Sequence, residues 1–149
     1  MSLPTRLHEE VAADEELPEL AVPLTRTLIV AGAIASRDYQ DVHHDPELAR
    51  ARGSEDVFMN ILTTNGLVGR YVTDWAGPAA VLERVAIRLG APNYPGDTMV
   101  LHGRVTDVGE PGSRADGRGP VSVEIRGTNG RGTHVTGTVN LALPRRDRS

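Results

Sequence analysis

The sequence predicts an α+β domain in which a curved antiparallel sheet wraps around one long central helix, and three observations predict it. A single stretch, Val57 to Val72, carries apolar residues largely at steps of three and four. Four later segments alternate apolar and polar residues with a period of two, separated by turns rich in Gly and Pro. The 149 residues are 39% hydrophobic and show no internal repeat, which suits one core and leaves no room for a second domain.

Each element follows from its own residues. Residues 1–20 concentrate Glu9, Glu10, Asp14, Glu15, Glu16 and Glu19 among few large apolar side chains. They predict a flexible acidic tail ahead of a domain over residues 21–145. Val22 to Ile34 is rich in branched residues and reads as a strand, with Pro23 placing its start near a sheet edge. Asp45 as N-cap, Pro46 at the first helical position, Glu47 in the first turn and Gly53 as terminator predict a short helix over Pro46 to Arg52.

The long helix carries Val57, Phe58, Ile61, Leu62, Leu67, Val68, Tyr71 and Val72 on its stripe, interrupted by Asn65 and Gly66. Gly66 and Gly69 leave space for a closely wrapped sheet, and Trp75 with Gly77 and Pro78 ends the helix. The strands then follow on Val81, Val85, Ile87 and Leu89; on Met99, Leu101 and Val105; on Val121, Val123 and Ile125; and on Val135, Val139, Leu141 and Leu143. Asn93 to Asp97 supplies a turn, Gly109 to Pro120 reads as a mobile hairpin loop, and residues 146–149 read as a polar tail.

Composition removes several classes of function. There is no cysteine, so disulfides, thiolate metal sites and thiol nucleophiles are excluded, and the expected compartment is the cytoplasm. No stretch approaches the roughly 18 apolar residues of a membrane span. A net charge of −4 with interspersed Arg and acidic residues offers no basic stripe for nucleic acid. With 3% aromatic residues, neither a base-stacking platform nor an aromatic slot for a planar cofactor is expected.

The chemistry-bearing stretch is Ser36 to Pro46. Asp38 and His43 stand five residues apart in a loop that bends before a capped helix, a spacing that lets a carboxylate and an imidazole converge on one water. The same residues also suit a plainer reading, as loop caps and solvent contacts. Adjacent His43 and His44 diverge, no second cluster completes a metal site, and no metal is expected. His44 is assigned to solvent or a neighbouring subunit, His102 and His134 to the sheet surface, and His8 to the tail.

The pattern Asp38-x-x-x-x-His43, followed by Asp45-Pro46 and Ala49, resembles the motif of the MaoC-like hot-dog hydratases, commonly Gly-Asp-x-Asn-Pro-x-His. The segments Gln40 to Asp45, Val57 to Thr63 and Tyr71 to Pro78 are similar to small subunits of heteromeric enoyl-CoA hydratases of bacterial cholesterol side-chain degradation. Pro95-Gly96-Asp97-Thr98 is similar to the turn before a MaoC-like strand. The likeness spans about residues 22 to 143. Arg37 stands where the broad family often has Gly, and Gln40-Asp41 replaces Asn-Pro.

This resemblance implies the hot-dog fold and hydration of a trans-2-enoyl-CoA to a 3-hydroxyacyl-CoA, with a steroid-CoA of shortened side chain as substrate. Asp38 and His43 would orient and deprotonate a water, with the division of protons between them left open. The backbone N–H of Asn60, matching the glycine before the helix, would hold the thioester oxygen, and Thr63 would contact Asp38 or the water. No cofactor is implied, since CoA is part of the substrate. The implied partners are the acyl-CoA and a larger MaoC-like subunit in a two-plus-two assembly, with a downstream aldolase as a further one. Two other readings are a non-catalytic partner subunit and a hot-dog thioesterase. Thioesterases commonly place a carboxylate on the long helix, and residues 58–72 hold no Asp or Glu.

Overall fold

A computed structural model of the chain describes residues 4–111 and 114–146. In chain order it contains β1 (Glu16–Pro23), α1 (Arg26–Ala35), α2 (Pro46–Ala51), α3 (Ile61–Ala76), β2 (Val81–Leu89), β3 (Thr98–Val108), β4 (Gly119–Asn129) and β5 (Gly132–Leu143). The five strands form one antiparallel sheet in the order β1-β3-β4-β5-β2. Its inner face holds Met99, Leu101, Val105, Val121, Val123, Ile125, Val135, Val139 and Leu141, all fully buried together with Val68 and Val72 of α3. Burying each such side chain contributes about 1.5–3 kcal/mol, which is why period-two segments and one amphipathic helix suffice to define the layers.

Residues 4–20 are not a tail. Arg6 N–H donates to Ala76 O, His8 N–H to Pro144 O and Asp14 N–H to Val105 O, all at 2.9 Å. Residues 16–20 already belong to β1, paired with β3. Val11 and Leu17 are buried while the acidic residues around them point outward; a few well-placed apolar residues and a sheet edge outweigh the charge count. His8, assigned to the tail, is buried against Gly119.

The predicted strand over Val22 to Ile34 is also corrected, because it ends at Pro23 and α1 begins at Arg26. Thr25 caps that helix by accepting from Leu28 N–H at 3.0 Å, and Ile29 and Ala33, four apart, form its buried stripe. Branched residues are only mildly unfavourable in a helix, and a cap with a buried face overrides them.

The short helix forms as predicted, with Asp45 Oδ1 accepting from Glu47 and Leu48 N–H at 3.0 and 3.1 Å. It ends at Ala51, one residue before Arg52, and Gly53 takes a φ of +93°. The long helix starts at Ile61, so Val57 and Phe58 lie in an extended approach instead. Phe58 N–H donates to Val42 O at 3.2 Å and Met59 N–H to Asn93 O at 3.1 Å. Gly77, at φ +90°, terminates α3; a Cβ on Gly69 would meet Leu82 at an ordinary contact distance of 3.5 Å and one on Gly66 would meet nothing within 4 Å, so a close sheet approach requires neither glycine. Trp75 packs beneath the Arg6 guanidinium, 4.8 Å from the ring centroid.

Of the loop read over Gly109 to Pro120, residues 112–113 lie outside the described ones, and Gly119 already opens β4. Of the predicted polar tail only Arg146 is described, its N–H donating to Glu9 at 3.3 Å; residues 147–149 lie outside.

The two edges of the sheet differ. β1 carries Glu16, Glu19, Pro18, Pro23 and a register irregularity between Leu17 and Leu20, all features that discourage further pairing. β2 leaves Val81, Leu82 and Leu89 exposed, and Ile61 and Leu62 on the first turn of α3 are exposed as well. Among the described residues, no helix is long and apolar enough to cross a membrane.

Candidate active site

The end of α1 places Asp38. Arg37 N–H donates to Ile34 O at 3.0 Å and Asp38 N–H to Ala33 O at 2.9 Å, the paired bonds that close a helix when the residue between them is left-handed. Arg37 is that residue, at φ +57°. A glycine would take this conformation without steric cost; Arg37 adopts it at a cost of about 1 kcal/mol.

His43 closes a single 3-10 turn over Asp41–His43. Its Nδ1 lies 2.7 Å from Phe58 O; a carbonyl only accepts, so Nδ1 carries the proton. Nε2 then faces Asp38 Oδ2 at 3.3 Å. The loop has brought the two predicted residues together, at a separation that leaves no space for a water between them. A water held by both must stand in front of the pair.

Asn60, the N-cap of α3, does more than was expected of it. Its Nδ2 donates to Asp38 Oδ2 at 3.0 Å and to Ser36 Oγ at 2.9 Å, while its Oδ1 accepts from Thr63 N–H at 2.9 Å. Only 2% exposed, this one amide ties the start of the helix to the carboxylate. The Asn60 amide is the largest influence holding the Asp38 carboxyl below its ordinary range, opposed by burial and helped by Gln40 N–H and, when its ring is protonated, by His43. An asparagine N-cap is legible in a sequence; that its two remaining donor hydrogens reach back 22 and 24 residues is not.

Thr63 does not reach Asp38. Its hydroxyl donates to Asn60 Oδ1 at 2.5 Å and packs against Gly32, where any Cβ would collide with it. It touches the site only through Asn60.

Asp38, His43, Phe58, Asn60 and Ile61 line one side of a cleft of about 310 Å³, with Leu89, Gly90, Pro92 and His134 on the other. Among the described residues the backbone N–H groups of Asn60 and Ile61 donate no hydrogen bond, and they sit at the positive end of a 16-residue helix. His134, expected on the sheet surface, is instead 1% exposed; His102 is partly exposed beside Glu19 at 3.1 Å, and His44 is exposed. No group of three potential metal ligands occurs among the described residues. Chemically, the cleft offers a base, an ionised acceptor beside it and free N–H donors at one helix end, with apolar walls.

A model of the MaoC like domain family matches residues 9–125. Over 127 residues the chain is 49% identical to the 3-oxo-4,17-pregnadiene-20-carboxyl-CoA hydratase beta subunit of Mycobacterium tuberculosis, a match covering 85% of this chain and 92% of that one. A chain in the crystal structure of the ChsH1-ChsH2 complex from Mycobacterium tuberculosis superposes with a TM-score of 0.82 at 46% identity, covering 89% of this chain and 98% of that one. An (R)-hydratase from A. caviae involved in PHA biosynthesis shares the fold, with a TM-score of 0.78 at 19% identity over 91% and 99% of the two chains.

Proposed function

This chain belongs to the MaoC-like domain family, and from that premise we propose that it hydrates a trans-2-enoyl-CoA as the catalytic subunit of a heteromeric complex. The observation that carries the reading is the Asp38–His43 pair, 3.3 Å apart at the mouth of an apolar cleft. The relative whose name specifies a pregnadiene carboxyl-CoA makes a steroid-CoA with a shortened side chain the first substrate to test, and cytoplasm the expected location.

The residues divide the work. His43, with its proton fixed on Nδ1, offers the Nε2 lone pair as general base and takes one proton from the water. Asp38, kept ionised by Asn60, accepts the water's other hydrogen and stabilises the imidazolium that forms. The hydroxide oxygen bonds to C3 while the electron pair moves onto the thioester oxygen, held by the free N–H of Asn60 at the helix start. His43 then returns its proton to C2 on the same face, so that water and enoyl thioester alone balance the reaction and no cofactor takes part.

The partner fits the exposed edge. β2, with Val81, Leu82 and Leu89 exposed along with Ile61 and Leu62 of α3, is the side on which a second hot-dog unit continues the sheet and completes the acyl tunnel. We assign that place to a larger MaoC-like subunit, two of each chain per assembly, with a downstream aldolase as a further candidate partner.

The test is a hydration assay on steroid and straight-chain enoyl-CoA esters, with the chain alone and co-expressed with its larger MaoC-like partner. Asp38→Asn and His43→Ala should each lower kcat about 100-fold or more in a folded complex. Near-full activity of either variant ends the reading; hydrolysis to free acid and CoA would favour a thioesterase.

A further inference from the structure

His134 is the one buried titratable group at the cleft that the proposed chemistry leaves unused. Its Nδ1 lies 2.7 Å from Ala91 O, which fixes the proton there, and its Nε2 lies 2.9 Å from Thr64 Oγ1. The threonine hydroxyl therefore donates to the ring. Thr64 is itself fully buried on α3, one turn beyond Asn60, and its N–H donates to Asn60 O at 3.3 Å. Burial pushes the His134 pKa down, in keeping with a neutral ring that accepts at one nitrogen and donates at the other.

The same stretch of β5 holds the opposite wall. Gly90 N–H donates to His134 O at 2.6 Å and Ala91 N–H to Thr133 O at 2.8 Å. A Cβ on Gly90 would lie 2.5 Å from Thr133 O, so the backbone there is pressed against β5. A hydrophobic residue would fill the volume of His134 more cheaply than a buried imidazole, whose polar atoms must both be satisfied. Instead the ring spans the two walls: one nitrogen bonds the helix that presents the Asn60 N–H, the other the segment facing it.

We infer that His134 is a positioning residue, a neutral strut that sets the width of the cleft between the first turn of α3 and Gly90–Pro92. It acts through Thr64 and Ala91 and never touches the reacting atoms. The inference rests on the hydratase reading above. Misplacing an oxyanion donor by about 1 Å costs on the order of 100-fold in rate, and that loss falls on kcat because the charge exists only beyond the ground state.

The experiment uses the complex with its partner and measures kcat and KM per folded complex. Thr64→Val, nearly the same shape without the hydroxyl, and His134→Leu should each lower kcat about tenfold with KM changed less than twofold. Thr64→Ser, which keeps the hydroxyl, should return to within about twofold of the parent. The double variant should be no slower than His134→Leu alone, since both remove one contact. Folded Thr64→Val with parental kcat overturns the inference, as does a loss in His134→Leu that vanishes once activity is divided by the folded fraction from thermal melts. Should His134→Leu not fold, Thr64→Val and Thr64→Ser decide. Asp38→Asn serves as the control: its inactivity beside parental Thr64→Val sinks this inference alone, and its activity sinks the hydratase reading instead.

Discussion

His43 and His134 face one cleft from opposite walls, and both keep the proton on Nδ1 by donating to a loop carbonyl at 2.7 Å. They differ in what Nε2 meets. In His43 it faces the Asp38 carboxylate at the cleft mouth; in His134 it is occupied by a buried threonine hydroxyl. On the mechanism proposed above, an identical side chain in an identical tautomer serves as a base on one wall and a strut on the other. The difference lies in the second nitrogen's partner and in access to water, which is what a reactive group needs and a structural one must lack.

The sharpest way to break this contrast is to remove only the reactive nitrogen. His43→Asn keeps an amide N–H to donate to Phe58 O while deleting the lone pair that faces Asp38. Turnover should fall about 100-fold or more, with a melting temperature close to the parent's. Steady-state hydration kinetics on the complex check it. A variant that keeps more than a tenth of parental kcat would mean that holding the loop, and not accepting a proton, is what His43 contributes.

How far the two walls were legible in the sequence follows the same division. Asp38, His43 and the Asp45 cap sit within eight residues, and local spacing is enough to propose that they meet. The four alternating strands and the long helix were equally open to reading, because a period of two or of 3.6 is written in consecutive residues. His134 was misplaced because its burial depends on a helix seventy residues away in the chain. Strand alternation alone puts it beside outward positions. Val22 to Ile34 was misread for a related reason: branched residues favour a strand only when nothing else decides, and the Thr25 cap with the buried Ile29 and Ala33 decided otherwise. Residues 4–20 looked like a tail because charge was counted and the pairing partner, β3, could not be.

A smaller effect should come from Asn60, which joins the reactive wall to the helix. Asn60→Ala removes the amide that donates to Asp38 and the oxygen that caps Thr63 N–H, and should lower kcat about tenfold and stability by about 1 kcal/mol. Titration of the Asp38 carboxyl separates these two losses. The Asn60 amide is the main reason that carboxyl lies below the ordinary range, so without it the folded pKa rises, and carbon-13 NMR of the carboxyl should show its midpoint at a higher pH than in the parent. If the midpoints coincide, Asn60 serves as a helix cap alone.

The mildest and most distinctive difference between the walls is their response to acid. Where the start of α1, α2 and the approach to α3 meet, Asp56 pairs with Arg26 through two bonds of 2.8 Å, lies 3.8 Å from Arg50 and accepts from Val57 N–H at 2.7 Å. Arg26 is the leading cause that takes its pKa down to about 2. A carboxyl whose folded pKa lies below its unfolded value of 3.8 adds stability that is complete above that value and is lost as pH falls toward 2. Both arginines are about half exposed, so the pair contributes only about 1 kcal/mol. Asp56→Asn should be less stable than the parent by that amount at pH 7, and the gap should close between about pH 4 and pH 2. The other wall answers to a different group: among the described residues, Gly90, Ala91 and Pro92 are held by backbone groups, Asn129 and the buried His134, whose folded pKa lies below the ordinary 6.5, so the stability it adds is complete above that value and is lost as pH falls from there toward the folded pKa. Protection factors from hydrogen exchange followed downward from pH 7 should therefore fall at Gly90 and Ala91 at a higher pH than at Val57 and Phe58, beside Asp56. Loss at both places at one pH would mean that the cleft opens as one body and that its walls are not independently fastened.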